Sequence, residues 1–271
     1  MSGKKLTVAD LQALKGRRQL TMLRCESIED AAAAEQAGID LISVAPHLLQ
    51  NPQFRSAAPT VFCVTSLSYG IYATPKEYLR AAFEMRRAGA DAVYCAASMR
   101  VVRRLAEEGI PVCGHAGLIP SKATWTGGFK AVGKTVETAK LVMQQIRELE
   151  KSGAVMAELE VVPEAVATEI ARRTSLIVLS MGSGAGCDGQ YLFATDVLGA
   201  HNGHYPRHSK TYRNFAAEYD RLQAERIEAF REFAEDVAGS RYPEAKHVVA
   251  ADPEVVAEFM AELDKEDPQQ M

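Results

Sequence analysis

The chain alternates short apolar runs with amphipathic helical patterns over most of its length. Seven runs are clear, and each is followed by a helical pattern or a short connection. Short apolar runs alternating with helices are typical of parallel strands that are buried on both faces. The predicted strands lie at 20–24, 40–45, 60–65, 91–95, 110–114, 154–160 and 176–181, and an eighth is predicted at 193–198.

Helix signals separate these runs. Thr74, Pro75 and Glu77 combine an N-cap, a proline at the first helical position and a capping-box acid, and Gly89 follows the predicted helix end. The segment 135–152 has an apolar face and stops before Gly153. Between the second and third strands, residues 47–65 have room for a helical turn but not for a full helix, so the second βα unit is predicted to be shortened.

Eight strands in one repeating series predict an α/β fold, a closed (βα)8 TIM barrel. A doubly wound open sheet is the competing fold, but no glycine-rich fingerprint follows the first strand. Residues 1–271 are therefore predicted to form a single barrel domain. A helical extension at about 209–265 is expected to pack on the barrel or on a neighbouring subunit.

Composition narrows the class of protein. The 271 residues are 47% hydrophobic and 24% charged, as in an ordinary globular protein. The 31 basic and 35 acidic residues give a net charge of −4, which argues against nucleic-acid and anionic-membrane partners. Apolar runs stay below the roughly 18 residues of a membrane span, and the N-terminus lacks a secretory h-region. Five cysteines without a CxxC pair predict buried, reduced thiols and a cytoplasmic location.

In a barrel of this kind the chemistry lies where the strands end. Glu160 is the leading candidate for a general base, because a partly desolvated carboxylate suits proton transfer; a salt-bridged rim residue is the alternative. His115 can donate to a carbonyl or enolate oxygen, or can instead be structural. Four further residues are predicted to contact substrate: His47, Ser66, Tyr94 and Ser180.

Two loops have anion-binding features. The glycine-rich segment 182–190 can present backbone N–H groups to an anion, although a tight turn needs the same glycines. Lysines 122, 130 and 134 follow the fifth strand, where they can meet an anion or stay solvated.

Longer motifs resemble one family. The run VCGHAGLIPSKATWTGGFKAVGKT (112–135) resembles the most diagnostic stretch of ketopantoate hydroxymethyltransferase (3-methyl-2-oxobutanoate hydroxymethyltransferase). The segments 5–23, 72–78, 158–190, 202–219 and 233–248 agree in order and spacing, so the resemblance covers nearly the whole chain. It implies a barrel of the phosphoenolpyruvate/pyruvate type and a large homo-oligomer. It also implies magnesium-assisted aldol chemistry on a 2-oxo acid, with methylenetetrahydrofolate as the one-carbon donor in the pantothenate pathway.

The resemblance carries over unevenly at the site. The family's general base falls on Glu160, its histidine on His115, and its Asp-Gly-Gln on residues 188–190. The family's metal and substrate positions hold different residues here: Pro46, His47, Ser66, Tyr94, Cys95 and Ala96. Magnesium prefers hard oxygen ligands including carboxylates, so we expect a divergent member without that metal site.

Three functions follow from this pattern. The first is a metal-independent transferase or lyase that performs enolisation, aldol or one-carbon chemistry on a small carbonyl or acyl substrate, with Glu160 as base. A variant of it builds a transition-metal site from His47, His115 and Glu160. The second is the family reaction itself, and the third is a non-catalytic barrel that binds a metabolite or a partner subunit.

Overall fold

The computed structural model describes residues 4–266, and its strands form a closed parallel β-barrel. The strands follow one another around the barrel in chain order, and the eighth pairs with the first to close it. The predicted (βα)8 fold is therefore confirmed. The strands are Leu20–Arg24 (β1), Leu41–Val44 (β2), Phe62–Ser66 (β3), Ala92–Tyr94 (β4), Val112–Gly117 (β5), Met156–Glu160 (β6), Ile177–Met181 (β7) and Gly189–Phe193 (β8).

Helices connect most of the strands. Four of them begin with the same capping box, in which the side chains of Thr7, Ser27, Thr74 or Thr135 accept from the third helical N–H. Two 3₁₀ helices lie at Pro120–Lys122 and Ala245–His247. The α-helices are Val8–Leu14 (α1), Ile28–Gln36 (α2), Pro46–Leu49 (α3), Phe54–Ala57 (α4), Pro75–Arg87 (α5), Met99–Glu107 (α6), Ala123–Thr126 (α7), Val136–Lys151 (α8), Glu164–Ala171 (α9), Ala194–Leu198 (α10), Phe215–Ala238 (α11) and Pro253–Glu266 (α12).

The second βα unit is short, as predicted. Two four-residue helices, α3 and α4, stand between β2 and β3. Phe54 on α4 is fully buried, so this abbreviated unit still contributes to the core.

The eighth strand was predicted in the wrong place. β8 is Gly189–Phe193, and residues 194–198 form α10, which ends at Gly199 in the left-handed conformation. Gly189 fits here because a side chain would meet the Leu20 backbone at 2.9 Å where β8 closes against β1. The connection between β7 and β8 has no helix, so the predicted glycine loop runs directly into the strand.

Apolar side chains fill both faces of the sheet. One buried cluster lies inside the barrel and includes Leu20, Met22 and Met156. The other packs the outer strand faces against helices and includes Ile42, Leu105 and Ile146. All five cysteines are buried free thiols, and burial raises the pKa of Cys63 to about 12.

The chain divides into two compact units, with the break between Phe215 and Ala216. The first contains the barrel, and the second contains most of α11 together with α12. Among residues 4–266, each helix is either too short or too polar to cross a lipid bilayer.

Candidate active site

A polar layer occupies the C-terminal half of the barrel interior. Side chains alternate between the two faces of a strand, so residues two positions beyond an interior apolar residue also face inward. Leu20, Met22 and Leu41 are interior residues, as are Cys113 and Met156. Continuing the alternation toward the strand ends gives the inward-facing polar layer: Arg24, Ser43, Ser66, Tyr94, His115, Glu158 and Glu160, with Tyr191 also in the interior.

His115 lies at the centre of this layer, between two glutamates. His115 is directly opposite Glu158 in the β5–β6 pairing, with 3.6 Å between Nδ1 and Glu158 Oε2. Its Nε2 lies 3.1 Å from Glu160 Oε2, and the Tyr94 hydroxyl lies 2.7 Å from Nδ1. The side chains of His115, Glu158 and Glu160 are only 2%, 7% and 12% exposed.

One nitrogen of His115 is left without a partner. The short contact with Glu160 does not have hydrogen-bond geometry, and Nε2 is a buried polar atom without a hydrogen-bond partner among residues 4–266. Buried polar atoms are nearly always paired, so an unpaired one next to a carboxylate at the barrel mouth marks a place where a ligand atom can bind.

Burial dominates the electrostatics of this cluster. Desolvation raises the pKa of Glu158 to about 7, although the neighbouring His115 lowers it; Glu160 raises it further and Arg24 lowers it. Burial likewise raises the pKa of Tyr94, so its phenol stays protonated at neutral pH. The cluster therefore combines a protonated phenol with a carboxyl group whose pKa is raised to about 7.

A second polar group lies on the opposite side of the barrel. The Arg24 Nε donates to Glu26 Oε1 at 2.8 Å, and its Nη1 lies 3.4 Å from the Ser43 hydroxyl. Tyr191 is buried and its pKa is raised by that burial, while a hydrogen bond with Ser43 acts in the opposite direction. A guanidinium and two hydroxyls thus face the glutamate–histidine cluster across the interior.

The structure separates the predicted substrate residues. Tyr94 contacts His115 directly. Ser66 is the last residue of β3, faces inward and lies opposite Tyr94 in the β3–β4 pairing. His47 is exposed on α3. Among residues 4–266, no three His, Cys, Asp or Glu side chains are grouped to hold a metal, so the predicted transition-metal triad of His47, His115 and Glu160 is wrong.

Ser180 lies on the other face of its strand. Its neighbours Leu179 and Met181 belong to the interior cluster, so Ser180 faces outward, where it is 1% exposed. The hydroxyl accepts from the Ser183 N–H at 3.0 Å and thereby fixes the turn after β7. Strand alternation therefore points Ser180 away from the mouth, where its contact with substrate is predicted.

The glycine-rich segment packs closely against a helix. A side chain at Gly184 would lie 2.4 Å from Glu164, and one at Gly186 would lie 1.8 Å from the Thr168 hydroxyl, so this loop crosses α9 closely. At its end, Asp188 accepts from Lys15 at 2.5 Å and from the Val178 N–H at 2.8 Å. Both contacts lie at the N-terminal end of the strands, opposite the mouth.

Sequence reasoning missed four residues of the mouth. Glu158 and Arg24 were visible at the strand ends, and counting in steps of two along β1 and β6 would have placed them inside. Tyr191 was hidden by the misplaced eighth strand. His208 has no periodic signal: it packs on Gly182 after β7, where burial lowers its pKa and Glu160 raises it.

The mouth residues do not fit a magnesium ion. The positions that the resemblance gives to the family's metal ligands hold Pro46, Ser66 and Ala96, and the carboxylates of Glu158 and Glu160 lie against different nitrogens of His115. Magnesium requires near-octahedral oxygen coordination.

The barrel is similar in fold to several solved structures. 2,3-Dimethylmalate lyase, a PEP mutase/isocitrate lyase superfamily member, matches with a TM-score of 0.52 at 13% identity, over 85% of this chain and 89% of that one. Phosphoenolpyruvate phosphomutase from Streptomyces platensis subsp. rosaceus matches with a TM-score of 0.50 at 13% identity, over 98% and 99%. At this level of identity the likeness concerns the fold, a closed parallel (βα)8 TIM barrel.

Sequence relatives define the family. The ketopantoate hydroxymethyltransferase model matches residues 47–245. 3-Methyl-2-oxobutanoate hydroxymethyltransferase of Thermotoga neapolitana is 33% identical over 266 residues, covering 90% of this chain and 96% of the relative. The enzyme of the same name from Shewanella sp. (strain W3-18-1) is 30% identical, covering 90% and 98%. The chain belongs to the ketopantoate hydroxymethyltransferase family, a family of transferase enzymes.

Proposed function

We propose that this protein enolises a small carbonyl substrate and uses the enolate in aldol-type or one-carbon chemistry, with Glu160 as the general base. The observation that carries the proposal is the buried Nε2 of His115, which has no hydrogen-bond partner in the described part of the chain and lies 3.1 Å from Glu160 Oε2. These two groups are the minimum for enolisation: a carboxylate that accepts a proton from carbon, and a donor for the oxygen that becomes negative.

Tyr94 lies where its hydroxyl can set which nitrogen of His115 carries the proton. Its phenol is kept protonated by burial and lies 2.7 Å from Nδ1. When the hydroxyl donates to Nδ1, the proton of the neutral imidazole is on Nε2, the nitrogen next to Glu160. Tyr94 is in this sense a positioning residue, which makes Nε2 a donor toward the mouth.

The proposed reaction has two steps, a proton transfer and the formation of a carbon–carbon bond. Glu160 takes the proton from the carbon next to the carbonyl. The electron pair of that C–H bond forms the C=C bond of the enolate, and the carbonyl π pair moves to the oxygen, which accepts a hydrogen bond from His115 Nε2–H. The enolate carbon then forms a bond to a carbon electrophile, such as an aldehyde or a folate-borne one-carbon unit. The proton on Glu160 then passes to the alkoxide oxygen that an aldehyde becomes, or to the folate nitrogen whose bond to the one-carbon unit breaks.

The family reaction is a second candidate, because two curated relatives carry that name at about 30% identity. In that case methylenetetrahydrofolate supplies the one-carbon unit. The two candidates share Glu160 and differ in whether magnesium is needed, since the strand ends here hold Ser66 and Ala96.

Hydrogen exchange tests the first step directly. The protein is incubated in D₂O with 3-methyl-2-oxobutanoate or pyruvate, with EDTA in one arm and magnesium in the other, and loss of the proton next to the carbonyl is followed by NMR. We expect exchange in the EDTA arm, and we expect Glu160→Gln to slow it roughly 100-fold or more.

Glu107→Gln is the matched control, because Glu107 is exposed on α6 and its ion pair is with Arg104 on the same helix. It should leave the exchange rate unchanged. Equal exchange in wild type and Glu160→Gln would overturn the role of Glu160. Exchange that requires magnesium would favour the family reaction, and the lack of exchange in both arms would favour the non-catalytic barrel.

A further inference from the structure

Arg24 has an unusual place among the strand residues. It is the only lysine or arginine in the eight described strands, and it lies at the C-terminal end of β1. Leu20 and Met22 belong to the interior cluster, so alternation directs Arg24 into the barrel mouth. Its direct contact with Ser43, the residue opposite it in β2, agrees with this direction. The side chain is 18% exposed, so it is accessible from the mouth.

Most N–H donors of the Arg24 guanidinium make no hydrogen bond to the described residues. Arginine offers five N–H donors. Within residues 4–266, Arg24 makes two polar contacts: Nε to Glu26 at 2.8 Å, and Nη1 to the Ser43 hydroxyl at the long distance of 3.4 Å. Glu26 is 44% exposed, so this ion pair is partly solvated and is worth little by itself. Nη2 and the second proton of Nη1 remain available to a ligand.

Arg24 faces the proposed acid–base groups. β1 is four strands away from β5 in the eight-stranded barrel, which puts Arg24 on the side opposite His115. Its positive charge still lowers the pKa of Glu158, so the two sides interact across the interior. A small molecule between them would have one end at the guanidinium and the other at Glu160.

We infer that Arg24 is the substrate-anchoring residue: its guanidinium binds a carboxylate of the carbonyl substrate while His115 and Glu160 act on the carbonyl end. This inference rests on the proposed function, and it names the residue that selects anionic substrates. The fork of a guanidinium matches the two oxygens of a carboxylate, and charge-assisted pairs of this kind are about twice as strong as neutral hydrogen bonds. Among the described strands, Arg24 is the residue whose positive charge can hold the substrate carboxylate.

Ligand pairs that differ only in charge provide the test. Binding of 3-methyl-2-oxobutanoate and of pyruvate is measured by titration calorimetry, alongside their neutral amides. In wild type we expect the acids to bind more tightly than the amides. Arg24→Gln should weaken acid binding roughly 10- to 100-fold, the loss of one charge-assisted contact, and should leave amide binding within about twofold.

Glu26→Gln is the control for a merely structural role. Glu26 competes with the ligand carboxylate for the same guanidinium, so this variant should bind the acids equally or more tightly. If Arg24 served only the ion pair, Glu26→Gln would reproduce the effect of Arg24→Gln. Arg24→Lys, which keeps the charge, should recover part of the affinity, and circular dichroism verifies that each variant is folded.

The two proposals fail separately. If wild type binds none of the acids, or if Arg24→Gln binds them as wild type does, the inference about Arg24 is overturned, whatever the exchange results are. If Arg24→Gln loses acid binding while wild type catalyses no exchange, the anchor is supported and the proposed enolisation is wrong. Glu160→Gln should keep acid binding in either case.

Discussion

Glu158 is an interior carboxyl group whose ionisation opposes folding. Burial raises its pKa from 4.5 to about 7, in spite of the nearby His115 and Arg24. Between these two values the folded protein holds a proton that the unfolded chain has released. The free energy of unfolding therefore decreases as the pH rises through this window, and the contribution is complete only below about pH 4.5.

Replacing this carboxyl group by an amide should remove the pH dependence. The difference of 2.5 pKa units corresponds to at most about 3 kcal/mol. The free energy of unfolding is measured with urea for Glu158→Gln and for wild type, at pH 5 and at pH 8. We expect the value for the variant minus the value for wild type to increase by roughly 2 to 3 kcal/mol from pH 5 to pH 8. The opposite result, in which wild type gains that amount of stability relative to the variant when the pH rises from 5 to 8, would contradict the burial argument.

Glu150 provides the opposite case. Burial alone would raise its pKa, but hydrogen bonds from Ser175 and Thr174 lower it below 4.5. Its stabilising contribution is present above that value and is lost as the pH falls, so it does not change between pH 5 and pH 8. Glu150→Gln should therefore cost stability equally at both pH values, which separates loss of a hydrogen bond from the titration of Glu158.

At the scale of elements, barrel closure depends on a contact at the bottom of β8. Lys15 donates to Asp188 at 2.5 Å and to the carbonyls of Ala171 and Leu176 at 3.1 and 2.8 Å. Asp188 is 8% exposed and also accepts from the Val178 N–H at 2.8 Å. The pair thus links the segment before β1 to β7 and β8, where the sheet closes.

Removing the charge of Asp188 should destabilise the barrel without touching the chemistry. Asp188→Asn leaves a mostly buried Lys15 without its counter-ion, and we expect a loss of about 3 kcal/mol in urea unfolding. The folded fraction should retain the exchange rate of wild type, because the contact lies opposite the mouth. Glu107→Gln, which breaks an exposed pair, should cost less than about 1 kcal/mol. If Asp188→Asn lowered the exchange rate without lowering the free energy of unfolding, Asp188 would have a role in the chemistry and this prediction would be wrong.

The same elements determine what the sequence can predict. Seven strands were located within about three residues of their ends, because each is a short apolar run between capped helices. β8 was not: its residues GQYLF include a glycine and an exposed Gln190, and the more apolar stretch 194–198 is helical. The local pattern favours the wrong segment, and pairing with β1 decides the outcome.

The site was predictable to the extent that strand ends determine it. His115, Glu160 and Tyr94 were named from those positions, and the structure brings them together. The contact between Tyr94 and His115 depends on pairing between β4 and β5, which the linear sequence does not contain. Asp188 lies in a family-like motif, but the motif alone does not predict its contact with Lys15.

At the scale of the whole molecule, the C-terminal helices point to self-association. α11 has a row of large apolar side chains at helical spacing, and Ile227, Phe230 and Phe233 are 47%, 68% and 56% exposed. On α12, Phe259 and Met260 are 59% and 52% exposed. Monomeric proteins rarely leave such rows uncovered, and the family resemblance implies a homo-oligomer, so we propose a second copy of this chain as the occupant.

Light scattering after size exclusion tests this directly. The wild-type mass should be a multiple of the 29.5 kDa chain, and Phe230→Glu combined with Phe233→Glu should shift it toward the single chain, because two charges would be buried without partners at the contact. Glu232→Gln, on the same turn of α11 and exposed, should leave the mass of the assembly unchanged. A wild type of 29.5 kDa would show that these side chains remain uncovered by a second copy. A dissociated double variant that still exchanges substrate protons would locate the whole proposed acid–base site within one barrel.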